Sequence, residues 1–218
     1  MPDKLKNIET IIFDFDGTIA DTLELGIKVA NQLSHRYRYK QISNKEELEF
    51  YRNLSTQNAI KAIGISLVKL PFVASAFRKR LSKSIHELQP IPGINEVIKQ
   101  LSVNYQLGIV TSNSRQNTMA FLNNQGLSDC FTYYSTGTRL FKKYHTIRSL
   151  LKSTKLDSAK VLLIGDETRD IEAAKKCGLP IISVAWGFHT EKVLRSYQPD
   201  YLIHEPHELI TLLITNSK

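Results

Sequence analysis

Cysteine is scarce in this chain of 218 residues, which contains only Cys130 and Cys177 and no CxxC pair. Two isolated cysteines cannot form the disulfide framework of a small secreted domain, so we expect free, buried thiols in a reducing compartment. No apolar run approaches the roughly 20 residues that a membrane-spanning helix requires, and residues 1–7 lack the apolar centre of a signal peptide. The sequence therefore predicts a cytoplasmic protein that does not enter a membrane.

Acidic residues are also in the minority, since 21 Asp and Glu stand against 29 Lys and Arg, for a net charge of +8. A basic protein favours anionic partners. No basic run is interleaved with aromatic residues, as a stacking surface would require, so we expect no nucleic acid among those partners. The six histidines are scattered, with no pair at ligand spacing on one predicted helix, which argues against a zinc site.

Short apolar runs alternate with longer helical patterns along the chain. Runs of this length are typical of buried strands, and their alternation with helices favours a parallel sheet that is covered on both faces. The predicted fold class is α/β, with a Rossmann-like parallel sheet and helices on both sides. The predicted strands are residues 10–13, 107–110, 131–134, 161–164, 181–184 and 201–203.

The first predicted strand is followed by a long stretch without a convincing strand. We interpret residues 21–89 as a small, all-helical cap domain that is inserted into a core domain made of residues 1–20 and 90–218. The cap carries twelve Lys or Arg against six Asp or Glu, which we interpret as a solvated face rather than a specific anion site. Its last part predicts one amphipathic helix, with an apolar stripe of Val73, Phe77, Leu81, Ile85 and Leu88.

Two carboxylates follow the first predicted strand directly, in the segment Asp14-Phe15-Asp16-Gly17-Thr18. Like charges this close raise each other's pKa and need a cation or hydrogen-bond donors to stay ionised. Ligands bind at the carboxyl ends of strands in an open parallel sheet, and a hard cation such as Mg²⁺ suits a set of oxygen ligands. Taken alone, the segment is explained equally well as an Asp-Gly turn that ends a strand.

Three further connections carry groups that a phosphoryl-transfer site uses. The segment 165–170 contains Asp166 and Asp170 directly after a predicted strand. The segment Thr111-Ser112-Asn113 precedes a helix and offers a hydroxyl and backbone N–H groups to an anion. The pair Lys142-Lys143 can supply positive charge where a strand passes into the next helix. Together these segments predict a metal-assisted phosphoryl-transfer site.

These motifs, in this order, resemble those of the haloacid dehalogenase superfamily over nearly the whole chain. The motif at residues 14–18 is the most specific, and the helical insertion is similar to the C1 cap of subfamily I. Within the superfamily the sequence is most similar to the phosphoglycolate phosphatase-like group, through residues 165–171 and 186–188. The resemblance implies a Mg²⁺-dependent phosphatase of small phosphorylated metabolites, and it leaves open whether the protein is a monomer or a dimer.

The resemblance also implies a role for each acidic residue. Asp14 would attack the substrate phosphorus and form an aspartyl-phosphate. Asp16 would protonate the leaving alkoxide and later deprotonate the attacking water. The metal would be held by the carboxylates of Asp14 and Asp166 and by the backbone carbonyl of Asp16, with Asp170 in support nearby.

Thr111 and Lys143 complete the catalytic set that the resemblance implies, the first by binding a phosphoryl oxygen and the second by offsetting negative charge. The family usually has glycine before this lysine, whereas Lys142 stands there in this chain, so Lys142 is an alternative candidate for the functional lysine. The residues that we expect to bind substrate or phosphate are Thr18, Thr111, Ser112, Asn113 and Lys143.

Asp16 separates two reaction classes, because an alkoxide leaving group needs a proton and a halide does not. Dehalogenation is therefore disfavoured. Two alternatives to a phosphatase stay open. A phosphomutase similar to beta-phosphoglucomutase would use the same aspartates but protect its phospho-aspartate from water. A non-catalytic regulatory or binding protein that retains the fold would use the basic cap as its contact surface.

Four further positions carry weaker expectations. Residues 52–55 in the cap lie near the place where relatives present substrate-specificity residues, although a simple loop explains them as well. After the fifth predicted strand, we expect Trp186 to pack against the edge of the site. We expect His189 and Arg195 to be solvated.

Overall fold

A computed structural model of the protein describes residues 3–137 and 142–214. All six predicted strands are present, and no strand end differs from its prediction by more than one residue. The α/β fold class is confirmed. The strands are β1 (Thr10–Phe13), β2 (Gln106–Val110), β3 (Phe131–Ser135), β4 (Val161–Gly165), β5 (Ile181–Val184) and β6 (Tyr201–Ile203).

The six strands form one parallel sheet in the order β3-β2-β1-β4-β5-β6. The chain builds outward from β1 through β2 to β3, and then returns to place β4 on the other side of β1. The connections that follow β1 and β4 therefore leave the sheet in opposite directions and open a crevice between them. In open α/β sheets this switch point is where ligands bind.

Helices cover both faces of the sheet because neighbouring residues of each strand point to opposite sides. Ile11 and Phe13 pack into one core cluster, and Ile12 packs into the other. The first cluster takes its helical side chains mainly from α5 (Ile94–Asn104), α6 (Arg115–Asn124) and α10 (Glu208–Leu213). The second takes them from α7 (Lys143–Thr154), α8 (Thr168–Cys177) and α9 (Glu191–Ser196).

The insertion after β1 is helical, as predicted, with four α-helices: α1 (Leu23–Tyr37), α2 (Lys45–Arg52), α3 (Thr56–Ala62) and α4 (Leu70–Leu81). The prediction of one amphipathic helix through Leu88 was wrong. The α-helix ends at Leu81, and Ser82–Glu87 forms a 3₁₀ segment in which Ser84 leaves helical geometry at φ −114° and ψ 16°. Leu88 is still buried, because the 3₁₀ segment turns the same apolar stripe inward.

The two crossings between insertion and sheet lie side by side. The Asp21 amide donates to the Gln89 carbonyl at 2.9 Å, and the Ile91 amide donates to the Ile19 carbonyl at 2.9 Å. These paired crossings fit the predicted boundaries of the cap, whose status as a separate domain stays a prediction.

Cys130 and Cys177 are free, and both are half-buried rather than buried as predicted. Across the two described ranges, no helix combines the length and the apolar character that crossing a membrane requires.

Candidate active site

The switch point of the sheet brings together the carboxylates that the sequence places after β1 and β4. The Asp14 amide donates to the Ile164 carbonyl at 2.8 Å, which ties the start of the first motif to the neighbouring strand. Asp14 and Asp166 expose 1% and 0% of their surface. Two buried carboxylates on adjacent strand ends require cations or donors close by.

Lys143 supplies the first of these cations. It is the first residue of α7 and is 3% exposed, and its Nζ lies 2.9 Å from Asp14 Oδ2 and 2.5 Å from Asp170 Oδ1. Burial would lower the pKa of Lys143, but Asp14 and Asp170 outweigh this effect and raise it, so the side chain stays charged. Lys142 is exposed. Of the two candidate lysines, the structure brings Lys143 into the site.

Asp166 is held by donors from two loops. The Thr18 hydroxyl donates to Oδ1 at 2.9 Å, and the Phe188 amide donates to Oδ2 at 2.7 Å. Two glycines make room for this carboxyl group. A Cβ at Gly17 would lie 2.3 Å from Asp166 Oδ2, and a Cβ at Gly187 would lie 2.2 Å from Asp166 Cβ. Gly17 also has φ +78°, which favours glycine.

Asp170 belongs to the first turn of α8 and is fully buried. Its Oδ2 accepts the Glu167 amide at 3.0 Å, and its Oδ1 contacts Lys143. A Cβ at Gly165 would lie 2.4 Å from Asp170 Oδ2. Both carboxyl oxygens of Asp170 therefore have partners, which suits the supporting role that the resemblance predicts for it beside a metal ion.

An ion pair that the sequence reasoning missed closes one side of the site. Arg169 Nη2 lies 2.5 Å from Glu167 Oε1 and 3.7 Å from Asp14 Oδ2. Burial would raise the pKa of Glu167, but the charge and hydrogen bond of Arg169 outweigh this effect and lower it below its ordinary value, so Glu167 is ionised. Three charged residues within the segment 166–169 were the available signal. Their pairing depends on side-chain directions that the sequence does not show.

Asp16 faces the loop that follows β2. The Asn113 side-chain amide donates to Asp16 Oδ1 at 3.1 Å, and the Thr111 hydroxyl lies 3.4 Å from Asp16 Oδ2. Burial, together with the nearby charge of Asp14, raises the pKa of Asp16 to about 7. Both its acid and its base forms are therefore populated near neutral pH, as a group that donates and later accepts a proton requires.

The predicted phosphate-binding residues do not all face open space. Thr111 also accepts the Asn113 amide at 2.9 Å, and Asn113 Oδ1 accepts the Ser114 amide at 2.9 Å, so this loop satisfies part of its own hydrogen bonding. Thr18 is fully buried against Asp166. Ser112 is half-buried and lines the cavity that opens in front of Asp16. The binding roles of these residues stay predictions.

The carboxylates fit a divalent cation. Asp14, Asp166 and Asp170 are all buried and can each offer an oxygen such that the three atoms lie within 4.8 Å of one another. Among the described residues of the site, five carboxylates surround two cations. Burial raises the pKa of Asp14, and burial with Glu167 and Asp14 as neighbours raises that of Asp166 well above its ordinary value. A hard cation with oxygen ligands would offset this excess of negative charge.

The helical insertion contacts the site through the turn between α2 and α3. Arg52 Nε donates to the Phe188 carbonyl at 2.7 Å, and Arg52 Nη2 donates to the Gly187 carbonyl at 3.2 Å. The Thr56 hydroxyl donates to Glu167 Oε2 at 2.7 Å. Residues 52–55, which were expected near a specificity loop, thus join the insertion to the loop that holds Asp166.

Three residues after β5 were the subject of weaker expectations. Trp186 is half-buried and donates from Nε1 to the Thr18 carbonyl at 3.2 Å. Arg195 is exposed, as expected, and pairs with Glu191. The expectation for His189 was wrong, because it is 0% exposed and its Nδ1 accepts the Thr168 amide at 3.0 Å. Burial lowers the pKa of His189, which keeps the ring neutral.

Comparison with known proteins accords with this site. A family model described as haloacid dehalogenase-like hydrolase matches residues 11–184. The chain is 34% identical to the phosphoglycolate phosphatase of Synechococcus elongatus over 204 residues, which cover 93% of this chain and 96% of the relative. It is 27% identical to the pyrophosphatase PpaX of Bacillus velezensis over 218 residues, with 94% and 96% covered.

The fold is shared with solved structures. A haloacid dehalogenase-like family hydrolase from Streptococcus pneumoniae superposes with a TM-score of 0.77 at 24% identity, covering 94% of this chain and 98% of that one. The likeness at this identity concerns the fold, whereas the family match spans both strand-end motifs. The chain therefore belongs to the haloacid dehalogenase-like hydrolases and is one of their phosphatases.

Proposed function

We propose that the protein is a Mg²⁺-dependent phosphatase that hydrolyses a small phosphomonoester through an aspartyl-phosphate on Asp14. The observation that carries this proposal is the setting of Asp14. Its carboxylate is buried at the switch point, 2.9 Å from the Lys143 ammonium and within reach of Asp166 and Asp170 as fellow oxygen ligands. Burial raises the pKa of Asp14, and the Lys143 ammonium offsets part of that rise, which favours the ionised form that attacks phosphorus.

The proposed reaction proceeds in two displacements. An Asp14 carboxylate oxygen attacks phosphorus, the bond to the leaving oxygen breaks, and the protonated Asp16 donates its proton to that oxygen. The Asp16 carboxylate then takes a proton from water, whose oxygen attacks the phosphorus and releases phosphate and the Asp14 carboxylate. The two steps together return both aspartates to their starting forms.

Three groups support these steps. Lys143 and Arg169 offset negative charge that builds on the phosphoryl oxygens, and Thr111 offers a hydroxyl from the neighbouring strand end. Asp14, Asp166 and the backbone carbonyl of Asp16 would hold Mg²⁺, with Asp170 in support. When bound, the metal supplies a positive charge that binds and polarises a phosphoryl oxygen.

The relatives support the substrate class. They are named as a phosphoglycolate phosphatase and a pyrophosphatase, and both names describe enzymes of small phosphorylated compounds. We propose that this chain also acts on a small phosphorylated metabolite, that residues 21–89 form its cap domain, and that it works in the cytoplasm, where its two free thiols would stay reduced.

Phosphate release tests the proposal. The full chain is incubated with p-nitrophenyl phosphate, phosphoglycolate and glucose 1-phosphate, with and without MgCl₂, beside an Asp14→Asn variant. We expect release that requires Mg²⁺ and is lost in the variant. Release by the variant at the wild-type rate would contradict the proposal and would favour a non-catalytic role for the retained site.

The glucose 1-phosphate sample also tests the mutase alternative. A mutase transfers the phosphoryl group back to sugar, so it yields glucose 6-phosphate with little free phosphate. We expect every molecule of glucose 1-phosphate that is consumed to appear as free phosphate, with no glucose 6-phosphate formed.

A further inference from the structure

A cavity of about 340 Å³ runs from the candidate active site into the helical insertion. At the core end its walls include Asp16, Ser112, Glu167 and Arg169. It is thus continuous with the acid that would protonate the leaving group. A leaving group that Asp16 protonates, as proposed above, would therefore lie next to this space.

The walls of this cavity inside the insertion are mainly apolar. All four helices contribute, including Ile27 of α1, Ile60 of α3 and Phe77 of α4. Among the described residues that line this part, Arg78 alone is charged, and it is half-buried. Pockets of this volume and character are typical of sites that bury an apolar ligand and orient it with a few polar groups.

Neither activity named for the relatives has a leaving group that suits mainly apolar walls. The leaving group of phosphoglycolate is glycolate, which has two carbons and a carboxylate, and the leaving group of pyrophosphate is phosphate. Inside the insertion, a small anion of either kind would give up its hydration to walls that are mainly apolar, and it would leave most of the 340 Å³ unfilled.

We infer that the cavity takes the leaving group of the substrate and that this leaving group is an extended apolar carbon skeleton, at least as large as a hexyl chain or a phenyl ring. The inference rests on the proposed function, because it assigns the cavity to the alcohol side of the reaction at Asp14. It goes beyond that function by naming the chemical class that the cap selects.

Binding of n-alkylphosphonates tests the inference without requiring turnover, because their carbon–phosphorus bond does not undergo this hydrolysis. The dissociation constants of methyl-, propyl- and hexylphosphonate are measured by calorimetry on the full chain with MgCl₂. We expect each added methylene to tighten binding about fourfold, which corresponds to about 0.8 kcal/mol per buried CH₂. A series with no dependence on chain length would overturn the inference.

Gly26 offers a position from which the cavity can be filled. It lies inside α1 and lines the cavity, and an added Cβ would meet only the Phe77 ring at 3.7 Å. A leucine there is also a better helix former than glycine. We expect Gly26→Leu to abolish the gain with chain length while methylphosphonate binds within twofold of wild type. Gly26→Ala, the smaller change at the same position, retains most of the gain.

The alternative is that the cavity binds a leaving group that carries its own negative charge, with Arg78 as the partner of that charge. Phosphonoacetate carries a carboxylate on a short chain. If it bound more tightly than hexylphosphonate and lost that advantage in Arg78→Met, the cavity would select an anion and the inference would be overturned. We expect hexylphosphonate to bind more tightly in both proteins.

Turnover of n-alkyl phosphates tests the proposed phosphatase function and the inferred leaving group separately. Mg²⁺-dependent hydrolysis at a kcat/KM that does not change from ethyl to hexyl phosphate would leave the proposed function standing and overturn the inference. Binding that tightens with chain length in the absence of any hydrolysis would support the cavity's ligand class and remove the proposed phosphatase reaction.

Discussion

The core and the helical insertion of this protein meet at one site but are built on different principles. At the core side, charged groups cluster, and each has a cation, an anion or hydrogen-bond donors as partners. Ion pairs join Asp14, Lys143, Asp170, Arg169 and Glu167, whereas neutral donors hold Asp16 and Asp166. At the insertion side, the same space is enclosed mainly by apolar side chains. The difference indicates that the core supplies the chemistry, whereas the insertion selects the compound on which it acts.

The largest effect should follow from removing the nucleophile. Asp14→Asn keeps the size of the side chain but lacks the carboxylate that attacks phosphorus, so we expect kcat to fall at least about 10⁴-fold. The measurement is phosphate release from p-nitrophenyl phosphate, with circular dichroism as the control for folding. A folded variant with more than a hundredth of the wild-type kcat would break the assignment of the chemistry to this carboxylate.

The paired lysines allow a matched test of the charged core. Lys143→Met leaves Asp14 and Asp170 buried without their cation, and we expect kcat to fall by about 10²–10³ and the free energy of unfolding to fall by about 3–5 kcal/mol. Lys142→Met changes an exposed side chain, and it should leave both quantities near wild type. Kinetics and urea unfolding in MgCl₂ measure the two effects. Equal effects in the two variants would contradict the assignment of Lys143, rather than Lys142, to the site.

Arg52 lies where the insertion meets the core, so its replacement tests whether the insertion also affects catalysis in the core. Arg52→Ala removes the donors to the Gly187 and Phe188 carbonyls, and the Phe188 amide is itself a partner of Asp166. We expect kcat/KM to fall about tenfold, because the reacting groups are less well positioned. The control is Arg80→Ala at an exposed position of α4. An Arg52→Ala enzyme with unchanged kcat/KM would show that this contact does not affect catalysis.

The smallest effect concerns His189, a neutral buried side chain near the charged residues of the site. The pKa of His189 is lowered in the folded protein by burial, so the unfolded chain binds this proton more readily, and stability is lost as pH falls below about 6.5. His189→Asn keeps an acceptor for the Thr168 amide but does not titrate. We expect the unfolding free energy of wild type to fall relative to the variant by up to about 1.4 kcal/mol per pH unit below pH 6.5. Parallel curves for the two proteins would contradict this account.

The fold of the core could be predicted from the sequence because its strands β1, β4 and β5 are fully buried and are therefore almost continuous apolar runs. β1 and β5 agree with their predicted ranges at both ends. The site residues Asp14, Asp166 and Lys143 could be placed near one another for a second reason. Parallel strands end at one edge of a sheet, so the segments that follow them lie close together.

Other features could not be predicted because they depend on packing. The stripe from Val73 to Leu88 has helical spacing throughout, yet the backbone changes to a 3₁₀ segment after Leu81. His189 looks like a surface residue in the sequence, and only the tertiary structure buries it. The apolar cavity arises from the spaces between four helices, so no single segment of the sequence encodes it.

The phosphorylated state of Asp14 is the central claim, and acid quenching during turnover of p-nitrophenyl phosphate tests it most directly. The nitrophenolate leaves without needing a proton, so an Asp16→Asn variant should still form the aspartyl-phosphate but should hydrolyse it slowly. Mass spectrometry of peptides from the quenched protein should find one phosphoryl group on Asp14, at higher occupancy in the variant than in wild type. Turnover of this ester with no phosphoryl group on Asp14 in either protein, or with the group on another residue, would contradict the account.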